Sequence, residues 1–504
     1  MKKKIIPFLA SVALMTLSSC SIDFGFSAIY SVSTTSVATS FTGSREDPFY
    51  NGSEYFRKML INGGMYSAPS TGNVKALVVP VVFKDDQSTY SDTSAKGIEL
   101  KSKMQTAFFG TANETGYWES LSSYYTKSSY GKLNISGTVT PYLNLDYTVD
   151  QALASIPKGK DSASITNTIA EKAYDAFFTN GSYNYKDYDS DNDGIIDLVW
   201  LVYCHDYSRS DNTSLLWAYT YWDSSANYSH LANYSWASSS FMDESGVGVD
   251  AHTFIHETGH QFGLDDYYSY DNSPSRSPMG GVDMMDNNIV DHCSFSKYCL
   301  DWVSPIVGKK DQSYTLKPFE SSGDCLILGD NFNGTCFDEY FIAEYYTPTG
   351  LNALDTANDY DNAGVYGLSQ SGLRILHVDQ RLGKFTSKGW DGYLYDNPST
   401  QSHSSYYYWM INSNSKCYCS SSTNYCLVNL VQASGKTNLL ETSSGGASSH
   451  FANNNDIFTS TSKVFGQDIY GTNQKTNEGW TLPYKVEISS LSSSGLSLTL
   501  STNS

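Results

Sequence analysis

The segment that most constrains this chain lies at positions 256–266 and reads HETGHQFGLDD. Two histidines four residues apart on a helix project from the same face, one turn apart. Imidazole nitrogens are common zinc ligands, so one zinc ion can bind both His256 and His260. The spacing therefore predicts a helix that carries two ligands of a single metal ion.

The other polar residues of this segment complete a catalytic set. Glu257 can reach a water in an open zinc position and act there as general base. Gly263 permits the left-handed turn that ends a helix, and this turn brings Asp266 back to the metal as third ligand. Two histidines and one carboxylate leave the fourth position for water. The alternatives are an ordinary amphipathic helix with two exposed histidines, and an enzyme that kept its motif but lost its activity.

The N-terminus has the pattern of an export signal. Lys2–Lys4 are basic, and the apolar run that follows to Leu17 is short for a membrane-spanning helix. Leu17–Cys20 reads LSSC and resembles the bacterial lipobox, which implies cleavage after residue 19 and a lipid on Cys20. We expect an exported protein, anchored to the outer face of a bacterial membrane by this lipid. Ordinary secretory cleavage is the alternative.

Composition restricts the classes of partner. The chain has 504 residues, enough for two or three domains. Its net charge of -20 argues against nucleic acid as a partner and fits a requirement for calcium. Charged residues make up 17%, below the usual quarter or so, and 40 tyrosines are present. Such a composition is typical of an extracellular protein rich in β-structure.

Eight of the nine cysteines remain once Cys20 is set aside, an even number that permits disulfides in an exported chain. Cys325 and Cys336 bracket a short segment, so we expect them to pair. Cys417, Cys419 and Cys426 form a cluster in a Ser-rich and Asn-rich segment. A second metal site there is the less favoured alternative, because the cluster has no fourth ligand at zinc spacing.

Periodicity along the chain predicts an α+β protein. We expect a signal peptide at 1–19, a Ser/Thr-rich tether or pro-segment at 20–74, a catalytic domain at 75–305 and a β-rich domain at 306–504. Apolar and alternating runs predict strands at 76–83, 133–142, 195–203, 486–488 and 496–500, and helices at 121–132 and from a cap at Asp250 to Phe262.

A second candidate metal site precedes the histidine segment. Residues 189–197 read DSDNDGIID, with carboxylates at alternate positions followed by a glycine. Calcium takes six to eight oxygen ligands, and this EF-hand-like spacing supplies several. Trp200 stands where an EF-hand has its last glutamate, so we expect a calcium loop without the flanking helix pair. A solvated acidic turn is the alternative. The proposed ligands are Asp189, Asp191, Asp193 and Asp197.

Several segments together resemble the M6 family of bacterial metalloproteases, the immune inhibitor A-like group within the metzincins. The likeness extends over roughly residues 75–500. The segments that carry it are the strand at 76–83 with Asp85, the YY and SYGKL residues at 124–133, the acidic loop at 189–199, HETGHQFGLDDYY at 256–268, GVDMM at 281–285, FSKYCLDW at 295–302 and LRILHVD at 373–379.

The resemblance implies a metzincin-like zinc endopeptidase that cleaves protein or peptide substrates. By this likeness His256, His260 and Asp266 bind zinc, and Glu257 passes a proton from water to the leaving amine. Met285, in the family's Met-turn, lies beneath the metal.

The chain departs from the family at three positions. The family has proline where Asp265 stands, which makes Asp265 a competitor of Asp266 for the metal. Val282 replaces a tryptophan and Asp301 a glycine. These departures concern the shape of the substrate pocket more than the chemistry.

Two other functions remain open from the residues. One is an inactive surface adhesin built on a peptidase scaffold, against which the intact Glu257 argues. The other is a glycan-processing surface protein, suggested by the aromatic-rich C-terminal half. A pair of catalytic carboxylates cannot be assigned there, however.

Overall fold

A computed structural model gives the protein's structure over most of the chain beyond residue 54. Cys20 and the predicted signal peptide lie outside the described residues, as do Cys417 and Cys419. The described residues are 55–62, 65–116, 118–156, 162–207, 215–222, 230–246, 248–269, 277–329, 332–358, 366–386, 389–393, 406–410, 412–415, 425–440, 451–459, 465, 476–477 and 479–502.

The fold is mixed, with helices and several β-sheets, and in this it agrees with the predicted α+β class. The helices are α1 (Tyr55–Asn62), α2 (Ala95–Phe109), α3 (Ala112–Thr115), α4 (Leu121–Ser128), α5 (Val149–Ser155), α6 (Ala163–Tyr174), α7 (His252–Gln261), α8 (Met284–Asn287), α9 (Ser294–Cys299), α10 (Phe319–Ser322) and α11 (Ala353–Ala357). The strands are β1 (Gly72–Val82), β2 (Leu133–Val139), β3 (Leu143–Asn144), β4 (Leu198–Tyr203), β5 (Tyr219–Trp222), β6 (Asn233–Ser238), β7 (Ile306–Val307), β8 (Gln312–Leu316), β9 (Cys325–Leu328), β10 (Glu339–Tyr346), β11 (Gly372–Asp379), β12 (Leu382–Thr386), β13 (Gly389–Tyr393), β14 (Tyr406–Met410), β15 (Val428–Leu430), β16 (Lys485–Ser492) and β17 (Gly495–Ser501).

The N-terminal half is built on a six-stranded sheet with strand order β2-β1-β4-β6-β5, and β3 also pairs with β1. Strands β1, β2, β4 and β6 are parallel, while β5 runs antiparallel to β6 at one edge. Strand β1 is an almost continuous apolar run because both faces of a central parallel strand are covered. The sheet therefore needs helices on each side.

Successive side chains of β1 enter two different cores, as the two-residue period of a strand requires. Val78 and Val82 face the core that also contains α2, α4 and α7. Val79 and Val81 face the opposite core, which α5 and α6 cover. The histidine helix α7 thus packs on one face of the sheet, and β5 and β6 are its nearest strands.

Strands dominate the C-terminal half, in a five-stranded sheet of order β15-β11-β10-β9-β7 and two three-stranded sheets. The three-stranded sheets have the orders β13-β12-β14 and β16-β17-β8. One core cluster belongs to this half alone. The core beneath α7, however, also contains Phe319, Tyr340 and Leu376. The predicted boundary at 305/306 therefore separates sheets but does not separate two cores.

Residues 20–74 are predicted as a Ser/Thr-rich tether or pro-segment, and the described part of this range is packed against the rest of the molecule, unlike a surface tether. Residues 55–62 form helix α1, and the side chains of Phe56 and Leu60 are buried. The Phe56 ring stacks on Phe337 of the C-terminal half, with centroids 5.8 Å apart. Strand β1 then begins at Gly72, before the predicted start. Helix α1 contains no serine, and its apolar side chains belong to the core that also contains the histidine helix.

The predicted Cys325–Cys336 disulfide is also wrong, since both residues have free thiols. Cys325 is held in the sheet, where it pairs with Glu344 of β10. Cys336 lies in the turn before β10, and its thiol contacts Cys299 instead. Closeness in sequence did not bring the two side chains together.

The predicted elements are otherwise present, with shifted ends. The helix expected at 121–132 ends at Ser128, and the strand expected at 195–203 begins at Leu198. Both C-terminal strands, β16 and β17, extend beyond their predicted limits. Among the described residues, none of the helices has the length and apolar character needed to cross a membrane.

Candidate metal centre

Helix α7 has defined ends that fix its position against the sheet. At its start Ala251 occupies the N-cap position, not Asp250 as predicted, but the Asp250 carboxylate one residue earlier accepts a hydrogen bond from the backbone N–H of His252 at 2.9 Å. At its end Gly263 adopts φ +94°, and the N–H of Leu264 donates to the carbonyl of Gly259 at 3.1 Å. This left-handed turn reverses the chain and directs it back along the helix.

The structure brings His256, His260 and Asp266 together. The Nε2 atoms of the two histidines lie 2.9 and 3.3 Å from Oδ1 of Asp266. One ligand atom from each residue lies within 4.8 Å of those from the other two. All three residues are buried or nearly so. Their donor set, two imidazoles and one carboxylate, is one that zinc favours.

Hydrogen bonds to the backbone orient both imidazoles. Nδ1 of His256 lies 2.8 Å from the carbonyl oxygen of Met284, and Nδ1 of His260 lies 2.7 Å from that of Leu264. A carbonyl can only accept, so each Nδ1 carries the proton and donates it. Each Nε2 is directed at the centre: when protonated it donates to Asp266, and when deprotonated it offers a metal the lone pair that a ligand needs.

Electrostatics keep the Asp266 carboxylate ionised. Burial alone would raise its pKa, but the attraction of His260 and the hydrogen bonds from both histidines hold the pKa well below its usual range. The Tyr268 hydroxyl also forms a hydrogen bond with this carboxylate, and its ring stacks on His256 with centroids 6.4 Å apart. A cation at this point would meet a negative oxygen that is already in place.

Glu257 lies beside the three ligands, and its side chain is buried. Burial raises its pKa above the ordinary value for a glutamic acid. Oε2 of Glu257 accepts a hydrogen bond from the Thr220 hydroxyl at 2.9 Å. Oε1 accepts none from any residue that the structure describes. One oxygen is thus anchored while the other is available for a proton.

Met285 packs against helix α7 at Gly259. A Cβ added at Gly259 would come within 2.5 Å of the Met285 sulfur, so the absence of a side chain there makes room for the methionine. The carbonyl of Met285 also accepts the N–H of Tyr267 at 2.8 Å, which links α8 to the segment that follows Asp266. The floor of the site is therefore apolar and closely packed.

Asp265 does not join the three ligands. Its Oδ2 accepts a hydrogen bond from the Ser413 hydroxyl of the C-terminal half. Burial raises the pKa of Asp265 to about 6. The competition with Asp266 that the sequence suggested is thus not seen, because Ser413 turns Asp265 away.

The acidic loop brings three of its four predicted ligands together. Single oxygens of Asp189, Asp191 and Asp197 lie within 4.8 Å of one another. Oδ1 of Asp197 is buried and has no hydrogen-bond partner, an arrangement that costs free energy unless a cation or water satisfies it. The buried unpaired oxygen and the all-oxygen donor set fit calcium.

Asp193 does not belong to this group. Its Oδ2 pairs with Nη2 of Arg57 at 3.1 Å, while Nη1 of the same arginine lies 2.5 Å from Asp191. Nε of Arg57 donates to the carbonyl of Ser67 at 2.6 Å. Helix α1 therefore supplies a fixed positive charge to the loop, and Asp193 is not among the three residues whose oxygens converge.

Two residues that contact the candidate metal sites were not predicted from the sequence. Thr220 and Arg57 lie 37 and 134 residues from the carboxylates that they contact. Neither residue belongs to a motif with a known spacing, so only the tertiary fold reveals them.

Comparison with known proteins adds no assignment: the chain matches no protein-family model, and no curated protein matches it at a significant level.

Proposed function

We propose that this protein is a zinc-dependent endopeptidase. The observation that carries the proposal is the convergence of His256, His260 and Asp266 with the Glu257 carboxylate beside them. Both imidazoles carry their proton on Nδ1, so their Nε2 atoms are available to a metal. A binding protein that uses this surface only for adhesion has no need for such an arrangement.

The roles follow from the position of each group. His256, His260 and Asp266 would hold the zinc ion. A zinc ion held there would supply Lewis acidity, which lowers the pKa of a water and polarises a peptide carbonyl. Glu257 accepts the proton of the attacking water and returns it to the leaving nitrogen. Its raised pKa suits a group that must both take and give a proton near neutral pH.

We further propose that the catalytic part is metzincin-like and related to the immune inhibitor A-like group. Three features support this proposal: the left-handed turn at Gly263, the third ligand Asp266 just beyond it, and Met285 packed against Gly259. Calcium in the loop of Asp189, Asp191 and Asp197 is part of the same proposal and would stabilise the fold rather than take part in hydrolysis.

For the location we propose export and a lipid anchor on Cys20, with protein or peptide substrates outside the cell. Stable anchoring requires more than one acyl chain, as bacterial lipoproteins carry. Replacement of Cys20 by serine should release the protein into the medium. If it stays with the membrane fraction, another element anchors it.

The proposed activity is tested with purified mature protein. We expect about one zinc ion per chain by elemental analysis, and hydrolysis of casein that 1,10-phenanthroline abolishes and added zinc restores. Protein that takes up no zinc when refolded in its presence would contradict the proposal. Zinc-loaded protein that binds a surface partner but cleaves nothing in a broad peptide library would favour the adhesin alternative.

A further inference from the structure

The only hydrogen bond to the Glu257 carboxylate within the described residues comes from a strand of the sheet and not from the segment that carries the metal ligands. Thr220 belongs to the edge strand β5, and its hydroxyl lies 2.9 Å from Oε2 of Glu257. The same hydroxyl lies 2.9 Å from the backbone carbonyl of Glu257. The carboxylate is the stronger acceptor because it is charged. A hydroxyl has one proton to donate, so Thr220 donates to the carboxylate, and the backbone carbonyl is an alternative acceptor at the same distance.

A chain of hydrogen bonds behind Thr220 fixes the direction of its hydroxyl proton. The Gln261 amide pairs with the backbone of Val199: Oε1 accepts the N–H at 3.3 Å, and Nε2 donates to the carbonyl at 3.4 Å. This pairing sets which end of the amide is nitrogen. The second proton of Nε2 then goes to the hydroxyl of Ser235, at 2.7 Å.

Ser235 must therefore accept from Gln261, since an amide nitrogen can only donate. Its own proton is directed onward to the Thr220 oxygen, 2.7 Å away. The Glu257 carbonyl is a more distant acceptor for Ser235, at 3.4 Å. Once Thr220 accepts from Ser235, its single proton is left for Glu257. The sequence of donors is Gln261, Ser235, Thr220, Glu257.

This chain of donors starts and ends on helix α7 and passes through two strands of the sheet, β6 and β5. Gln261 immediately follows the ligand His260, and Glu257 immediately follows the ligand His256. Ser235 and Gln261 are fully buried, and Thr220 is half-buried. Aligned hydrogen bonds at low dielectric reinforce one another. The rigid sheet therefore sets the orientation of the Glu257 carboxylate relative to the two histidines.

We propose that Thr220 is a positioning residue for the general base, which it holds by Oε2 so that Oε1 faces the attacking water. Ser235 and Gln261 hold Thr220 in the donating orientation. This inference rests on the proposed endopeptidase function. It adds that the catalytic geometry depends on the edge strand β5 and not on the metal-binding segment alone.

The test compares two substitutions of Thr220 in the full mature, zinc-loaded protein. Thr220→Val keeps the shape but removes the hydroxyl, and Thr220→Ser keeps the hydroxyl. We expect Thr220→Val to lower kcat by about 10- to 100-fold, the range for the loss of a hydrogen bond to a charged group. KM and zinc content should hardly change. Thr220→Ser should recover most of kcat.

A matched control is Thr315→Val. Thr315 lies on strand β8 and pairs with the Ser497 hydroxyl at 3.0 Å, in a sheet that contributes none of the site residues. Its substitution should leave kcat unchanged. Should Thr220→Val not fold, Ser235→Ala provides the second test, because it leaves Thr220 in place but removes its donor. We expect a smaller fall in kcat there, with zinc retained.

Acetohydroxamate gives a readout that does not depend on turnover. A hydroxamate binds zinc through its oxygens and can donate its remaining proton to an adjacent carboxylate. Calorimetry should therefore show weaker binding to Thr220→Val than to wild type, and recovery in Thr220→Ser. Equal kcat and equal hydroxamate affinity in wild type and Thr220→Val would overturn the inference. Loss of zinc, or failure of Thr220→Ser to recover, would equally overturn it, since Thr220 would then act through packing.

A different result would refute the proposed peptidase function while leaving the role of Thr220 testable. A wild-type protein that holds zinc and binds hydroxamate but cleaves no peptide would refute the peptidase assignment. The affinity of Thr220→Val for hydroxamate would still decide whether Thr220 orients Glu257.

Discussion

The two candidate metal sites of this molecule are built in different ways. In the histidine site, His256 and His260 come from one helix, and their imidazoles are held by backbone carbonyls. In the acidic loop, Asp189, Asp191 and Asp197 come from a turn with little regular structure. The Asp191 carboxylate also forms an ion pair with Arg57 of helix α1. A helix fixes the distance between its ligands, whereas a loop of like charges needs a cation to hold it together.

This difference predicts which site depends on its metal for folding. The histidine site is part of a packed core, with Met285 beneath it and the sheet behind it. The acidic loop has a buried carboxylate oxygen of Asp197 without a partner. We therefore expect zinc to determine activity and calcium to determine stability.

The largest effect on stability should come from calcium itself. Binding to the folded state alone contributes about 2.7 kcal/mol when calcium is roughly 100 times its dissociation constant. Asp197→Asn should remove most of this calcium-dependent rise in melting temperature, because Asp197 is a buried member of the group. Asp193→Asn should keep most of it, because Asp193 does not belong to the group of three aspartates whose oxygens converge. Thermal melts with calcium or with a calcium chelator, at constant zinc, measure both.

Two results would contradict a stabilising calcium site in the acidic loop. One is an equal response of the two asparagine variants to calcium, and the other is a wild-type melting temperature that does not change in millimolar calcium. Zinc content provides the internal control, since neither substitution should change it.

Substitution of Arg57 should have a smaller effect on the stability of the folded protein. Arg57→Gln leaves Asp191 and Asp193 without their counter-charge, and both carboxylates are partly exposed to water, which screens the loss. We expect roughly 1–2 kcal/mol of destabilisation in calcium-free buffer, below the 3–5 kcal/mol typical of a fully buried pair. The neighbouring exposed residue allows a control, Lys58→Gln, which should have little effect.

Calcium should also offset part of the Arg57→Gln loss, because a divalent cation replaces the missing positive charge near the loop. Denaturant unfolding with and without calcium measures this difference. An equal loss in both conditions would mean that Arg57 serves only to dock α1.

The smallest expected effect is a dependence of the calcium response on pH. Burial raises the pKa of Asp197 to about 7 in the folded protein, from 3.8. Between these values the calcium-free folded state binds more protons than the unfolded state, so its stability falls as pH rises. Protonated carboxylates do not bind calcium. The calcium-induced rise in melting temperature should therefore be larger at pH 8 than at pH 5.

Other buried carboxyl groups also have raised pKa values, so their contribution to the stability of the folded state falls as pH rises in the same way. Burial raises the pKa of Asp283 to about 6 and that of Asp286 to about 7. Their contribution should be the same with and without calcium, so the difference between the two melting curves reports on the loop. A calcium response that shrinks between pH 5 and pH 8 would contradict this assignment.

What the sequence predicted well depends on short-range rules. The spacing of His256 and His260, the turn at Gly263 and the return of Asp266 all follow from helix geometry within a few residues. The order of strands in the main sheet and the contacts of Thr220 and Arg57 depend on packing between distant segments. A linear pattern contains no distance information of that kind.

The errors have the same origin. Helix α1 was hidden in a Ser-rich segment because its stability comes from packing against the core rather than from its own sequence. Cys325 and Cys336 were paired by their closeness in sequence, whereas both thiols are free and that of Cys336 contacts Cys299. Asp193 fitted the calcium spacing, but its oxygens lie outside the group that Asp189, Asp191 and Asp197 form.

In the proposed mechanism three residues bind zinc, whereas Glu257 only transfers the proton. The variant Glu257→Ala separates these two roles most directly. Because the three ligands remain, the variant should keep about one zinc ion per chain. The rate of peptide hydrolysis should fall by about 100- to 10,000-fold, the usual contribution of general acid–base catalysis. The matched variant His260→Ala should lose zinc and hydrolysis together. Near wild-type hydrolysis by zinc-replete Glu257→Ala would show that this segment is not the active centre.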